Sequence, residues 1–181
     1  MCRCWLPTAV GGISQNSGLI TLRTPDVKFL LAHPAHFIAL GFGSGLAPRG
    51  PGTVGTLLAV ALYAPLALVL DANGILVVSV VFFLIGIWAC ARTGRALGVS
   101  DHGAMNWDEV VAFLPVLVWA RQSPAWVILG FVVFRFFDIV KPPPIGWIDR
   151  TVGGGLGVML DDVVAAACTV GLLALVRYVI G

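Results

Sequence analysis

The amino-acid sequence predicts an all-α protein, a polytopic bundle of membrane helices, from its composition and its long uncharged stretches. Of 181 residues, 59% are hydrophobic and only 11% are charged, and the mean hydropathy is +0.97. Soluble domains carry about 25% charged residues. The longest uncharged stretches reach the roughly 20 residues that a helix needs to cross a bilayer. A soluble helical protein with a very apolar core is the alternative, and this composition disfavours it.

The predicted bundle contains about four or five apolar segments, some of them short or half-spanning. They are residues 50–70, 72–91, 110–120, 122–134 and 163–176. A turn that contains Asn73-Gly74 joins the first two segments, and a turn that contains Ser123-Pro124 joins the next two. The last three segments are shorter than a full span. We therefore expect them to be tilted, or to be extended by a snorkelling side chain such as Arg177.

Three polar segments separate the apolar ones and hold most of the basic residues. They are residues 41–56, 92–109 and 135–162. If the apolar segments form two hairpins, all three polar segments lie at the same membrane face. Arg121 and Arg177 then lie at the other face, so the positive-inside bias makes the polar face cytoplasmic. Trp119 and Trp126 flank the turn at the far side, where interfacial tryptophans are enriched.

The chain is predicted to form one membrane domain, residues 29–181, behind an N-terminal extension. That extension, residues 1–28, is expected to be disordered. The net charge is only +2, and the sequence has no basic stripe, so nothing indicates nucleic-acid binding. The lipid bilayer is the expected environment, and no sequence feature indicates an oligomeric state.

Acidic residues concentrate in the second half of the chain. Every Asp and Glu except Asp26 and Asp71 lies between residues 101 and 162. Those beside apolar segments are Asp108, Glu109, Asp138, Asp161 and Asp162. Acids at helix starts can simply interact with the helix dipole, but several carboxylates at one apolar surface repel each other unless a cation offsets them. Oxygen ligands without a matching Cys or His cluster indicate magnesium rather than zinc.

Basic side chains and glycine-rich turns suit an anion beside such a metal. The spacing of Arg135, Asp138 and Lys141 predicts one charged face on a helix that the following prolines end. Two glycine-rich turns, residues 41–45 and 51–56, present backbone N–H groups and hydroxyls before an apolar helix, where anions bind. The candidate phosphate ligands in these turns are Ser44, Gly45, Thr53 and Gly55.

Together these groups favour phosphoryl chemistry on a lipid at the membrane surface. His102 is a candidate general acid or phosphate contact, and a hydrogen bond within its loop is the alternative. A transporter or channel with acidic ion-binding residues is a second functional hypothesis. The charges cluster at one face and not along a span, which disfavours it. A phosphatase of another lipid phosphate is a third.

Three stretches resemble the signature blocks of the phosphatidylglycerophosphatase A family, in that family's order. They are GFGSGLAPRGPGTVGTL, DHGAMNWDEV and FRFFDIVKPPPIGWIDRTVGGGLGVMLDDVVAA. The resemblance implies an integral membrane, magnesium-dependent phosphatase that converts phosphatidylglycerophosphate to phosphatidylglycerol at the bacterial inner membrane. Met105-Asn106 and the triple proline made by Pro143 depart from the family's pattern, but neither removes an acid or a base.

The family's motif positions imply roles for individual residues. Its acidic positions, the implied Mg²⁺ ligands, fall on Asp108, Glu109, Asp138, Asp161 and Asp162. Its basic positions, the implied ligands of the substrate phosphate, fall on Arg135, Lys141 and Arg150. We expect Arg135 and Lys141 to grip the terminal phosphate, and Ser44 and Thr53 to orient it. Of the two adjacent aspartates, Asp162 is favoured as the direct ligand, with Asp161 capping the helix or supporting the site from behind.

Overall fold

The computed structural model of the protein describes residues 24–121 and 123–180, and these contain helices and no β-strand. The helices are α1 (Val27–Ala32), α2 (Pro34–Ala39), α3 (Pro51–Val69), α4 (Ala72–Leu97), α5 (Trp107–Ala120), α6 (Pro124–Val140), α7 (Ile145–Thr151) and α8 (Gly154–Ile180). A 3-10 segment, Gly41–Leu46, lies between α2 and α3. The predicted all-α fold class is confirmed. Residues 1–23 of the proposed N-terminal extension lie outside the described residues.

Three helices, α3, α4 and α8, are long and apolar enough to cross a membrane. The fourteen residues of α5 and seventeen of α6 make helices of about 21 Å and 26 Å, shorter than a hydrocarbon core of roughly 30 Å. This agrees with the expectation of short segments. Large apolar side chains on the long helices, such as Leu68 and Leu175, are exposed. Such outer faces suit contact with lipid.

The central helix of the bundle is α5, which packs against α3, α4, α6 and α8. Eleven of its fourteen residues are buried, so it is enclosed on nearly every side. Phe113 packs on Phe131 and Phe134 of α6, with ring centroids 6.1 Å and 5.3 Å apart. Because the bundle surrounds the whole helix, it also buries the two acids in its first turn.

The last helix begins earlier than the sequence predicts. The apolar pattern placed its start at Val163, with Asp161 and Asp162 at its mouth. In the structure α8 begins at Gly154, whose φ of +71° marks the break after α7. Both aspartates therefore lie in the interior of the helix, and the interpretation of Asp161 as a helix cap is wrong.

The glycine-rich start of α8 explains this difference. Gly-Gly-Gly is typical of a loop, but here small residues allow a close approach between two helices. A Cβ atom on Gly155 would overlap the backbone of α4 at Ile87 and Ala91. A tertiary contact, which the local sequence does not reveal, therefore accounts for glycines inside a helix.

The two predicted turns lie at the end of the bundle away from the acids. Asp71 caps α4 through a hydrogen bond that its Oδ1 accepts from the Gly74 amide at 2.8 Å. At the second turn the rings of Trp119 and Trp126 pack edge to face, with centroids 5.4 Å apart. The Arg177 guanidinium lies 5.9 Å from the Trp119 ring. Aromatic and basic groups together are typical of a membrane interface.

Candidate active site

Three carboxyl groups from two helices meet inside the bundle. Asp108 and Glu109 lie in the first turn of α5, and Asp162 faces them from α8. Each offers an oxygen, and these oxygens all lie within 4.8 Å of one another. All three residues are buried, with exposed fractions of 8%, 9% and 3%. We call these residues, with Asp138, the carboxylate cluster.

The last turns of α6 add Asp138 and a counter-charge to this group. Arg135 Nη1 lies 2.6 Å from Asp138 Oδ2 and 3.4 Å from Glu109 Oε1. One guanidinium thus faces several buried carboxylates, which leaves an excess of negative charge in an apolar environment.

Several polar atoms of this site have no hydrogen-bond partner among the described residues. They are Asp108 Oδ1, Glu109 Oε2, Asp162 Oδ2 and Arg135 Nε. Buried polar atoms are nearly always paired, so unpaired ones indicate a missing ligand. The donors are all carboxylate oxygens, the ligands that Mg²⁺ and similar hard cations prefer. The residues therefore fit a divalent cation, with the arginine placed for an anion beside it.

Lys141 occupies a different place from the one that its spacing predicts. It is the C-cap of α6, in the left-handed region at φ 46°, and so it leaves the face shared by Arg135 and Asp138. Its Nζ lies 2.5 Å from Asp161 Oδ2 and 2.7 Å from Asp149 Oδ1. Burial opposes its charge, but the hydrogen bonds that Lys141 donates to the two carboxylates outweigh burial and raise the lysine pKa.

The adjacent aspartates of α8 therefore face different partners. Consecutive residues of an α-helix point about 100° apart. Asp162 points to the carboxylate cluster, whereas Asp161 accepts the hydrogen bond from Lys141. The structure thus brings three of the five sequence-predicted metal ligands together, joins Asp138 to them through Arg135, and places Asp161 on the lysine.

Gly52, in the first turn of α3, reaches the carboxylate cluster, and the sequence reasoning did not select it. A Cβ atom there would overlap Glu109 Oε1 and would lie 2.9 Å and 3.0 Å from the two terminal nitrogens of Arg135. The half-buried Thr53 follows it in the same turn. The absence of a side chain at Gly52 lets the start of α3 approach the acids. The glycine-rich pattern points to this turn, but only the fold shows that Gly52 lies against Glu109.

The other residues of the glycine-rich turns pack on the loop before α5. A Cβ atom on Gly45 would overlap the Ala104 carbonyl oxygen, and one on Gly55 would lie 2.9 Å from Asn106 Cβ. Ser44 Oγ donates a hydrogen bond to the Gly41 carbonyl at 2.7 Å. Their expected role in phosphate binding stays a prediction.

Asn106 joins the first two polar segments and was noted only as a departure from the family pattern. It is fully buried. Its Nδ2 donates to Ser44 Oγ and to the Pro51 carbonyl, both at 2.9 Å, and its backbone N–H donates to the Ala39 carbonyl at 3.0 Å. The sequence signal that could have identified this role is an Asn directly before Trp-Asp-Glu. An Asn that is buried there needs hydrogen-bond partners from another segment.

His102 and Arg150 lie at the edge of this region. The imidazole Nδ1 of His102 accepts a hydrogen bond from the Ala104 amide at 3.1 Å, as the loop alternative expects. Arg150 is exposed on α7 and lines a cavity of about 200 Å³ with Asp101 and Asp149. Neither residue belongs to the group of side chains that meets at the centre of the site. The catalytic role of His102 and the phosphate-binding role of Arg150 stay predictions.

Comparison with known proteins identifies the family. The sequence model described as Phosphatidylglycerophosphatase A matches residues 37–177. The chain is 39% identical over 147 residues to the phosphatidylglycerophosphatase A of Escherichia coli (strain K12), covering 81% of this chain and 85% of that protein. It is 38% identical over 165 residues to the protein of the same name from Haemophilus influenzae, covering 88% and 98%.

A further relative carries another name. The putative phosphatidylinositol-3-phosphatase of Bacteroides thetaiotaomicron is 37% identical over 151 residues, covering 80% of this chain and 94% of that protein. No solved structure matches the chain. The family match extends from within α2 to the last turn of α8 and includes every acid of the carboxylate cluster. The chain therefore belongs to the phosphatidylglycerophosphatase A family.

Proposed function

We propose that the protein is a magnesium-dependent phosphatase that hydrolyses phosphatidylglycerophosphate to phosphatidylglycerol at the cytoplasmic face of the bacterial inner membrane. The observation that carries the proposal is the buried carboxylate cluster with its unpartnered oxygens beside Arg135. Family membership and the names of two relatives support the substrate. The three long apolar helices support the membrane location.

The carboxylate cluster would hold one or two Mg²⁺ ions through Asp108, Glu109, Asp138 and Asp162. When bound, Mg²⁺ supplies positive charge that stabilises the transferring phosphoryl group and lowers the pKa of water. Arg135 Nε, which has no partner among the described residues, is placed to donate to the substrate phosphate. A donor held in a buried site stabilises developing charge better than one in water. Hydrolysis breaks the phosphorus–oxygen bond to the glycerol, which takes a proton, and water supplies the oxygen of the released phosphate.

Lys141 and Asp161 would support the site from one side. The Lys141 ammonium group fixes Asp161 at 2.5 Å, next to the ligand Asp162. Its high pKa keeps the positive charge throughout the neutral pH range. Lys141 can therefore attract the phosphate while it holds the adjacent turn of α8 in place.

Dephosphorylation of another lipid phosphate is the second candidate, and the name of the Bacteroides relative favours it. A substrate panel separates the two. Purified protein in detergent would be given phosphatidylglycerophosphate, phosphatidylinositol 3-phosphate, phosphatidate and a soluble phosphate ester, and phosphate release measured. We expect the first substrate to be turned over fastest, and equal turnover of all four would contradict the narrow substrate assignment.

Asp162→Asn should abolish magnesium-dependent phosphate release while the protein still inserts in the membrane. We expect a loss of about a thousandfold or more, since a catalytic metal contributes several kcal/mol and each 1.36 kcal/mol is tenfold in rate. Asp161→Asn should cost only about 10- to 100-fold, as expected for a group behind a ligand. The matched control is Asp71→Asn at the opposite end of the bundle, which should keep full activity.

A stability measurement gives the same test without turnover. Without metal, Asp162→Asn should raise the thermal midpoint, because it removes one of several buried, mutually repelling carboxylates. Added Mg²⁺ should raise the midpoint of the wild type and leave that of the variant unchanged, because only a protein that binds the ion is stabilised by it. Equal responses of both proteins to Mg²⁺, together with full activity of Asp162→Asn, would exclude this metal site.

A further inference from the structure

An apolar groove lies between α4, α5 and α8, outside the carboxylate cluster. It encloses a cavity of about 700 Å³. Its walls include Val80 and Phe83 of α4, Ala112 and Pro115 of α5, and Ala167 and Gly171 of α8. Most of these side chains are small and apolar. The helices therefore leave space between them that their own side chains do not fill.

The groove continues from the proposed active site along the same two helices. Ala112 lies four residues after Asp108 on α5, and Ala166, also in the wall, lies four residues after Asp162 on α8. Residues four apart share a helix face. At 1.5 Å per residue, the wall residues of α8, from Val163 to Gly171, extend from about 2 Å to about 14 Å beyond Asp162. One end is thus beside the carboxylate cluster, and the other lies toward the opposite end of the bundle.

The groove opens on a surface that faces lipid. Two of its helices, α4 and α8, are candidate membrane spans. At its edge Val80 is 60% exposed and Ala167 is also exposed. A Cβ atom on Gly171 would meet nothing within 4 Å, so the space in front of this residue is open. A molecule could enter sideways from the bilayer without crossing the polar face.

We propose that this groove binds one acyl chain of the glycerophospholipid substrate while its terminal phosphate lies at the carboxylate cluster. The inference rests on the proposed function and adds how the lipid part of the substrate is held. The groove has the volume of an ordinary ligand pocket, which is about 300–1,000 Å³. A helix from a second copy is a poor occupant, because a 15 Å length of α-helix about 10 Å across needs roughly 1,200 Å³. An acyl chain is thin and wholly apolar, as the walls require.

Filling the groove provides the first test. Ala167→Phe and Gly171→Leu add side chains in open space at its edge, so both proteins should fold. For phosphatidylglycerophosphate with long acyl chains, KM should rise by about tenfold, the loss expected when roughly two methylenes leave an apolar site. For the same headgroup on four-carbon acyl chains, KM should stay the same. The preference of the enzyme for long chains over short ones should therefore decrease.

The matched control is Ala174→Phe. Ala174 lies seven residues after Ala167 on the same exposed side of α8 and does not line the groove. It should leave both substrates unaffected. If the groove variants behave like Ala174→Phe, or if they lower turnover of long and short substrates equally, acyl binding in the groove is wrong. Absence of phosphate release by the wild type from every substrate would instead overturn the proposed function.

Photo-crosslinking gives a second readout that does not depend on turnover. Phosphatidylglycerophosphate with a diazirine midway along one acyl chain would be photolysed with the protein in detergent without Mg²⁺, and the labelled peptides mapped by mass spectrometry. We expect adducts on the groove faces of α4 and α8 that excess unlabelled lipid removes and that Ala167→Phe reduces. Adducts spread evenly over the exposed faces of α3 and α8 would contradict the proposal, since they would report only surrounding lipid.

Discussion

At the residue scale, the adjacent aspartates of α8 show what sequence alone can and cannot determine. Their membership in an acidic site follows from the type and the number of carboxylates near apolar segments. Their separate partners depend on the side of α8 that faces α5, and that is a packing property. Asp162 reaches the carboxylate cluster and Asp161 reaches Lys141. The preference for Asp162 as a ligand agrees with this geometry and stays a proposal.

Lys141 illustrates the same limit in another way. Its spacing from Asp138 predicts a common helix face, and that holds only if the helix continues through it. The prolines that follow end α6 at Val140, and Lys141 takes a left-handed conformation. The prolines correctly predict the end of the helix. The direction of the Lys141 side chain depends on its tertiary contact with Asp161, which the local sequence does not contain.

Asn106 carries a stability prediction at this scale. Asn106→Ala removes the donor for Ser44 Oγ and for the Pro51 carbonyl inside the bundle. Buried groups left without partners cost about 1–3 kcal/mol, so the thermal midpoint in detergent should fall. Asn73→Ala, at an exposed position in the first turn of α4 at the far end, should change stability by no more than about 0.5 kcal/mol. Equal midpoints for the two variants would show that Asn106 does not join the segments.

At the element scale, the site depends on how closely the start of α3 approaches α5 and α6. The glycine-rich turns were predicted to bind anions, and in the structure most of their glycines make room for a neighbouring backbone or side chain. Both interpretations follow from a missing side chain. The short distances from Gly52 to Glu109 and from Gly55 to Asn106 favour a packing role over anion binding for these glycines. These distances depend on the tertiary fold, so a local sequence pattern cannot predict them.

Gly52→Ala tests this contact between elements. The added Cβ atom would overlap Glu109 Oε1, so either α3 or the carboxylate must move. A shift of about 1 Å in an active site can cost about a hundredfold in rate, and we expect a loss of that order in kcat.

The control for Gly52→Ala is Gly103→Ala, where the new Cβ atom meets nothing within 4 Å. Its activity should match that of the wild type. Phosphate release and the elution profile in detergent would be measured for both proteins, to separate a local effect from misfolding. Full activity of Gly52→Ala would mean that α3 is not confined by the acids.

At the scale of the whole molecule, the hairpin parity was the most productive sequence prediction. It placed the three polar segments at one end of the bundle, and the contacts of Glu109 with Gly52 and with Arg135 bring them together there. Hydropathy and turn signals were sufficient to predict this common location, because a helix that crosses an apolar layer must end at one membrane face or the other. The start of α8 was the main error, since its glycines are typical of a loop.

The same parity predicts the orientation in the membrane. A cysteine at Trp147, on the polar side and 62% exposed, should be protected from a membrane-impermeant maleimide in intact spheroplasts. A cysteine at Asn73, which is exposed in the first turn of α4 at the opposite end of the bundle, should be labelled. Breaking the membrane should make both accessible. The reverse pattern would place the carboxylate cluster on the outer face and would contradict the positive-inside assignment.

The shortness of α5 determines how far the acids lie below the membrane surface. Its far end is marked by Trp119, which packs on Trp126 and lies under Arg177, as residues at an interface do. Asp108 lies eleven residues from Trp119 on α5, which is about 17 Å along the helix, in a hydrocarbon core of roughly 30 Å. Asp108 and Glu109 would then sit in a recess about 13 Å beneath the opposite headgroups. The phosphate must descend to meet them, so bilayer thickness becomes a determinant of which phospholipids can reach the site.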